Sequence, residues 1–461
     1  MFNMYKALFV LMFACSALAQ PPNLTDSKLH YGDWIKTVNA RSLALGGTGI
    51  AGAYAVHAAG QNPAVLTGME NEMEGFLAGM VTRYEEDRSY PYYDNFGGFV
   101  DFGSYVYNSS WYGNLAGAIN FNLTPLTGLQ VVAGLSTNPV IGFNYDYVEE
   151  VRTTGFTDEI LAYNKIYSEG ELRIYSLSAA IEPVAGLSIG GQMGIITGSI
   201  DQTAEIFPVS DDLQEIAHRE TRIITLEKNP VKTTLGIHFQ FDPQFAAAAV
   251  FGFPFTINTK NIYRLETNNP DLPGILLPDN EPVGFTAAQT DYDSVGQIEK
   301  SRKIEYPAQL GLGLTYRFTN ILEARLSADF EYIFWSDMKD TWRSGLALHD
   351  IYVIKLGVEH IFFDRIPFRV GFNYQPLKEN KNYTRSIFTL GIGLLFDQYQ
   401  VDFSGGFENL TSNQPDLFSN GLYPPLIERT EPVDRVKTSN FYGMVEVRFF
   451  FNDIIPPARK D

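Results

Sequence analysis

Leu322-Glu-Ala-Arg-Leu-Ser-Ala-Asp-Phe-Glu-Tyr-Ile-Phe-Trp335 places Leu322, Ala324, Leu326, Ala328, Phe330, Tyr332 and Phe334 at every second position. Between them stand Glu323, Arg325, Ser327, Asp329 and Glu331. A period of two puts one set on each face of an extended strand. A strand of a soluble sheet alternates this way too, but usually without so aromatic a far end. A transmembrane β-strand explains both features, with the apolar face in lipid and the charged face toward a polar lumen.

The pattern recurs outward from this stretch. Leucines alternate with Gly311, Gly313, Thr315 and Arg317 in Leu310–Phe318. Phe368, Val370, Phe372 and Tyr374 alternate with Arg369, Gly371, Asn373 and Gln375. Gly443, Val445, Val447, Phe449 and Phe451 alternate with Tyr442, Met444, Glu446, Arg448 and Phe450. Short turns rich in Pro, Gly, Asn and Asp fall at 124–128, 183–186, 242–244, 319–320, 363–367 and 397–398. Longer polar connections lie between them, at 86–110, 145–169, 201–230, 260–303, 336–350, 377–384 and 411–437. Strict alternation of short and long connections predicts 14 strands: 73–85, 111–123, 129–144, 170–182, 187–200, 231–241, 245–259, 304–318, 321–335, 351–362, 367–376, 385–396, 399–410 and 438–451. The expected fold is all-β, a 14-stranded antiparallel transmembrane barrel with both ends on the short-turn, periplasmic side. Thr221–Glu227 is also strand-like and fits a hairpin extended above the membrane.

Composition agrees. Aromatic residues make up 14% of the chain, the net charge is −19 and mean hydropathy is −0.09. The negative charge argues against nucleic-acid partners. The longest apolar run beyond the N-terminus, Phe245–Ile257, is broken by Pro254 and is too short for a spanning helix, which needs ~20 residues. Lys6, the apolar run Ala7–Leu18 and the small-x-small sequence Ala17-Leu18-Ala19 read as a signal peptide over residues 1–19. The single cysteine, Cys15, lies inside it behind a poor lipobox, so disulfides are not expected in the exported chain.

The stretch Asn39-Ala-Arg-Ser-Leu-Ala-Leu-Gly-Gly-Thr-Gly-Ile-Ala-Gly-Ala-Tyr-Ala-Val-His-Ala-Ala-Gly-Gln-Asn-Pro-Ala-Val-Leu66 is dominated by Gly and Ala. Small residues let backbone pass close to backbone, so the segment suits a plug threaded inside the barrel. It contains Gly47-x-Gly49-x-x-Gly52, with Glu70 and Glu72 about 20 residues on, which on paper is a dinucleotide fingerprint. No βαβ unit surrounds it. Gly186-x-Ser188-x-Gly190 likewise mimics a nucleophile elbow but has no helix behind it. No pair among the six histidines has metal-ligand spacing, and no catalytic triad can be assembled, so enzymatic activity and a cofactor are not expected.

With plug and strands together, the chain resembles the FadL family of outer-membrane transporters for hydrophobic compounds such as long-chain fatty acids and aromatic hydrocarbons. The resemblance is carried by Gly46-Gly-Thr-Gly-Ile-Ala-Gly-Ala-Tyr through Gln61-Asn62-Pro63-Ala64-Val-Leu66. Tyr306-Pro-Ala-Gln-Leu-Gly-Leu-Gly-Leu-Thr-Tyr with Ala328–Ser336, and Pro367–Tyr374 with Phe388–Leu394, add to it. It implies an N-terminal hatch over residues 20–72, a barrel over 73–452 and a periplasmic tail over 453–461. The hatch would be anchored by Gly46, Gly47, Gly49, Asn62, Pro63 and Ala64. It also implies an inward kink in the third strand, beneath which substrate leaves sideways. Asn138-Pro139, with Gly134 and Gly142 nearby, is the candidate, because proline donates no hydrogen bond to a sheet.

The inward charges Arg317, Glu323, Arg325, Asp329, Glu331, Arg369, Glu446 and Arg448 are expected to hold the plug, or one arginine among them to pair with a ligand carboxylate. Tyr332, Phe334, Phe449 and Phe451 are expected in aromatic girdles. The apolar patch Leu272-Pro-Gly-Ile-Leu-Leu-Pro278 would either cover its own small cluster or form an external landing site for substrate. Expected partners are outer-membrane lipid, a hydrophobic small-molecule ligand and the barrel-assembly machinery, for a monomer in the bacterial outer membrane. The same hatch also resembles PorV-type barrels of protein-secretion systems, so binding of exported proteins is the competing function, and a porin-like or structural barrel a third.

Overall fold

The structure, a computed structural model, describes residues 23–452 apart from 36, 95, 154–158, 270–271, 273, 275, 277–293, 320–323, 344–346, 419–421 and 424–432. The expected signal peptide, the C-terminal tail and Glu323 lie outside the described residues.

The N-terminal segment forms a helix, α1 (Leu24–Tyr31), a two-residue strand, β1 (Asp33–Trp34), and a single helical turn, α2 (Ala40–Ala44). Two 3₁₀ turns follow at Ala55–Gly60 and Pro63–Gly68. The remainder is strand: β2 (Met73–Tyr93), β3 (Phe99–Asn122), β4 (Val131–Gly142), β5 (Tyr145–Arg152), β6 (Ile160–Val184), β7 (Leu187–Pro208), β8 (His218–Leu226), β9 (Val231–Gln240), β10 (Phe245–Gly252), β11 (Phe255–Thr267), β12 (Ser294–Tyr306), β13 (Gln309–Arg317), β14 (Arg325–Ile333), β15 (Lys339–Asp340), β16 (Ile351–Phe362), β17 (Ile366–Pro376), β18 (Thr384–Leu395), β19 (Tyr399–Pro415) and β20 (Val433–Phe451). The segments β4/β5, β8/β9, β10/β11, β12/β13 and β14/β15 each continue one line of the wall, which makes a closed 14-strand antiparallel barrel. Closure is by β20 on β2, from Met73 opposite Phe451 to Ser89 opposite Arg435. No sheet edge is left where first and last strands meet, as lipid requires.

Outward residues form an apolar belt. Leu310, Leu312 and Leu314 are exposed, while Gly311 and Gly313 between them are buried against the N-terminal segment. Aromatic pairs rim the belt at the short-turn end, where Phe239–Phe241 centroids lie 4.5 Å apart and Phe396–Tyr399 also 4.5 Å. At the long-loop end, Tyr332–Phe334 are 4.9 Å apart and Phe251–Phe253 likewise 4.9 Å. Phe449 and Phe451 stack outward 6.5 Å apart. A closed barrel with an apolar belt between aromatic girdles is the build of a bacterial outer-membrane protein.

The expected strand positions hold, but strand extends into five of the expected long connections, 86–110, 145–169, 201–230, 260–303 and 411–437. The first hairpin runs, through register shifts after Arg88 and Tyr92, to Tyr93 and returns at Phe99, so most of 86–110 is strand and not loop. Residues 201–208, 218–226, 260–267 and 294–303 are likewise paired. Polarity in these stretches reflects walls that leave the lipid and stand in water, where alternation no longer contrasts apolar with polar. Prolines punctuate the exit: Pro230 precedes β9, Pro254 parts β10 from β11, and Pro307 parts β12 from β13. Each removes a ladder donor, and the wall above is re-paired as a separate tier, β8 with β11 and β11 with β12. From this tier Phe255, Ile257, Ile304 and Tyr306 pack with Tyr31, Ile141, Trp335 and Ile351 in one core cluster.

Candidate functional site: the filled lumen and a break in its wall

The N-terminal segment lies against the inward face of the barrel wall. Pro63 begins a 3₁₀ turn whose N-cap is Asn62. Asn62 Oδ1 accepts from Ala64 N at 3.0 Å, and Nδ2 donates to Ile50 O at 2.9 Å and to the wall carbonyl of Ile237 at 3.4 Å. Two wall glycines make room: a Cβ on Gly190 would lie 2.5 Å from Ala64 N, and one on Gly236 1.8 Å from Asn62 Oδ1. Gly190 and Ser188, whose hydroxyl is 2.6 Å from that of Thr67, therefore serve packing, which accounts for the nucleophile-elbow mimic. Gly46 adopts φ +69°, and a Cβ there would sit 2.5 Å from Phe372 O. Gly47 adopts φ +85°, and Gly49 N donates to Asp329 at 2.7 Å. A Cβ on Gly52 would come within 2.9 Å of Ser327 Oγ. The Gly-x-Gly-x-x-Gly spacing is thus a close approach of backbone to barrel wall.

Three of the eight expected lumen charges, Asp329, Glu446 and Arg448, contact this segment directly, and Arg325 and Arg369 gather at Glu359, which bonds it. Asp329 also accepts from Ile50 N at 3.0 Å. Glu446 accepts from Ala40 N at 2.8 Å and pairs with His57 at 2.6 Å. Arg369 bonds Glu359 at 2.8 Å and Asp402 at 2.5 Å, and Arg41 from α2 reaches the same Glu359 at 2.8 Å. Arg325 lies 3.8 Å from Glu359. Glu331 pairs with Lys355. Tyr54 is held between two guanidiniums, Arg41 at 4.1 Å and Arg448 at 4.0 Å. Arg317 is exposed near the short-turn end and is not part of this network. Arg41, Tyr54, His57, Lys355, Glu359 and Asp402 were missed in the sequence. Lys355 and Glu359 did carry a signal, as polar residues at every fourth place on the inward face of β16.

At the long-loop end, α1 is clamped by buried groups. Asp26 pairs with Arg343 at 2.7 Å and with His30 at 3.3 Å. Burial acts to raise the Asp26 pKa, but Arg343 and His30 outweigh it and hold the carboxyl well below its usual range. Burial, then the positive charge of Arg222, push His30 down to about 3 against the pull of Asp26. Arg222 donates to Leu29 O at 2.9 Å, and Tyr31 OH to Asp340 at 2.9 Å. Leu276 is buried in a cluster with Leu29 and Tyr145, so this residue of the 272–278 patch faces inward. Most of its neighbours in the patch lie outside the described residues.

Among the described residues, the wall has one distinctive interruption. β3 pairs with β4 from Asn122 opposite Val132 only as far as Gly117 opposite Thr137. β4 continues along β6 to Gly142 opposite Glu171, with an irregularity between Pro139 and Ile141. Over the same residues its other edge pairs with β1, Trp34 opposite Ile141 and Asp33 opposite Gly142. β4 thus exchanges a wall strand for a strand of the N-terminal segment beyond Asn138-Pro139, the expected position of the kink. Above this point the wall is rejoined through side chains: Val148 N donates to Asn108 at 3.1 Å and Ser110 to Asp146 at 3.3 Å. Across the gap, Arg173 donates to Leu115 O at 2.7 Å. Gly134 lies below, where a Cβ would meet Asn120 Oδ1 at 1.9 Å.

Two lumen cavities flank β1. The upper, about 290 Å³, is lined by Tyr112 and Asn114 of β3 and by Gly142 and Asn144 across the gap. The lower, about 110 Å³, includes Asn138 and Val140 of β4. Trp34 and Ile35 line both.

No protein-family model and no curated protein matches the chain. Solved structures do match. A Pseudomonas aeruginosa FadL homologue superposes with a TM-score of 0.63 at 13% identity, covering 91% of this chain and 100% of that one. The Pseudomonas putida toluene transporter TodX gives 0.58 at 15% identity, with 90% and 99% coverage. The Ralstonia pickettii toluene transporter TbuX gives 0.56 at 17%, with the same coverages. The chain therefore has, over nearly its whole length, the fold of the FadL-type channels.

Proposed function

We propose that this protein is an outer-membrane channel for passive uptake of hydrophobic small molecules, with the N-terminal segment as its hatch and release through the barrel wall. The observation that carries the reading is the exchange of β3 for β1 along β4. A hydrophobic solute gains nothing from a water-filled pore, and a closed ladder gives it no way into lipid. The break supplies a way out, and cavities on both sides of β1 reach its edges. The ligand enters at the long-loop end, rests in the upper cavity against Trp34, and passes to the gap between β3 and β4 when the hatch shifts. The similar solved structures include toluene transporters, which supports the substrate class. The reading needs no cofactor and no energy coupling.

The test is toluene and fatty-acid uptake by cells that lack their own transporter. The wild type should restore uptake, and deletion of residues 46–66 should abolish the discrimination between substrates. A correctly inserted wild type that transports neither compound would move the assignment to a protein-secretion barrel, and capture of exported proteins would then be the deciding assay.

A further inference from the structure

The upper cavity has an apolar lining and an uncharged polar one. Ile333 and Ile351 belong to the first, with the indoles of Trp34 and Trp335 4.8 Å apart. The second contains Thr82 of β2, Asn114 of β3, Gln375 of β17, and Thr438 and Asn440 of β20. All five are half-buried, and among the described residues none of these side chains has a hydrogen-bond partner in the protein. β20, β2 and β3 are neighbours in the wall, with Asn440 opposite Tyr84, Thr82 opposite Tyr442 and Tyr112, and Asn114 opposite Met80. Four of the five groups therefore share one patch on three adjacent strands. Two further lining residues are buried and leave a polar atom without a partner: Asn373 an acceptor, Oδ1, and Trp335 a donor, Nε1. The charged lining groups are of both signs, Lys28, Lys378 and Arg385 against Asp33, Glu379 and Glu408, and favour neither a cation nor an anion by net charge.

An amide carries both donors and an acceptor, and a hydroxyl acts as either. The patch is matched by a ligand that donates and accepts at several neighbouring points. A hydrocarbon seated there takes water from these groups and returns no bond. An ionised carboxylate only accepts, and satisfies the amide N–H groups but not the amide oxygens. A neutral polyol does both, while its carbon skeleton and an attached chain lie on the indoles and isoleucines. We infer that the upper cavity binds amphiphiles with a neutral polyhydroxylated head, an alkyl glycoside being the simplest, and that Asn114 and Asn440 are among the residues that hold the head. This rests on the uptake reading above and names a substrate class for its upper cavity.

The probes are hexyl β-glucoside, 1-hexanol and hexanoate, which share a chain and differ in the head. Binding to the purified full-length protein held in amphipol is followed by tryptophan fluorescence, since two of the four tryptophans line the cavity. The glucoside should bind at least about tenfold more tightly than either of the others, the scale of one or two net hydrogen bonds. Asn440→Leu keeps the volume and removes donor and acceptor together. It should weaken glucoside binding about fivefold and leave 1-hexanol within about twofold. 1-Hexanol binding to the wild type as tightly as the glucoside would overturn the hydroxylated head and leave the channel reading standing. Hexanoate binding more tightly than the glucoside would overturn it in favour of an anion, again with the channel reading intact. Binding of none of the three would overturn both. The wild-type comparison stands by itself if the variant does not fold.

Discussion

The N-terminal segment is held by single residues in tight places, so single residues should release it. Gly236→Ala drives a methyl into Asn62 Oδ1 and should weaken docking by about 1–3 kcal/mol. The expected result is new protease cleavage within residues 39–69 while the barrel keeps its heat-modifiable mobility; an unchanged digestion pattern would contradict it. Glu359 bonds Arg41 and Arg369 and neighbours Arg325, so Glu359→Gln strands buried positive charge. Its expected cost is about 3–5 kcal/mol, read as a lower midpoint of thermal unfolding. At α1 the lever is pH. His30 is neutral in the docked helix with a pKa of about 3, and once undocked it takes a proton below about 6.5. Its folded pKa is depressed, so acidification between about 6.5 and 3 favours undocking, by about 3 kcal/mol at pH 4. Asp26, also depressed, adds stability above its ordinary pKa that is lost below it, in the same direction. Protection of the amides at residues 24–31, after correction for the intrinsic exchange rate at each pH, should therefore fall from pH 7 to pH 4, and His30→Gln should flatten that dependence.

Among the elements, the strands in lipid were legible and those above it were not. Leu322–Phe334 announces itself because lipid on one face and a polar lumen on the other enforce a period of two. Residues 260–267 of β11 and 296–303 of β12 stand in water on their outer face, so the same geometry leaves little contrast. The ladder irregularity after Pro139 had a local signal, since proline cannot donate to a ladder. The two-residue β1 that captures the freed edge had none, because a pairing that short is fixed by its partner and not by its own sequence. The charges were legible by face and illegible by partner: periodicity showed that Arg369 and Glu446 point inward, but not that His57 of the N-terminal segment would meet Glu446 or that Arg41 would share Glu359 with Arg369. Arg173 bridges the gap in the wall, so Arg173→Ala should remove a bar and raise the rate of toluene uptake. Slower uptake would show that the guanidinium serves the passage instead.

At the scale of the molecule, the proposed release into lipid rests on the stretch where β4 leaves β3 and pairs with β1. The N-terminal segment and the break meet at β1, which lines both cavities through Trp34 and pairs with β4 beyond Pro139. The most direct measurement is toluene uptake by a variant whose β4 is made regular, by deletion of Val140 at the irregularity together with Pro139→Val. Without the irregularity, β4 can continue its ladder with β3 and seal the wall. Correct insertion with uptake reduced to the level of cells without the protein is the result expected if the solute leaves sideways. Uptake at the wild-type rate through a sealed wall would mean that it leaves by another route.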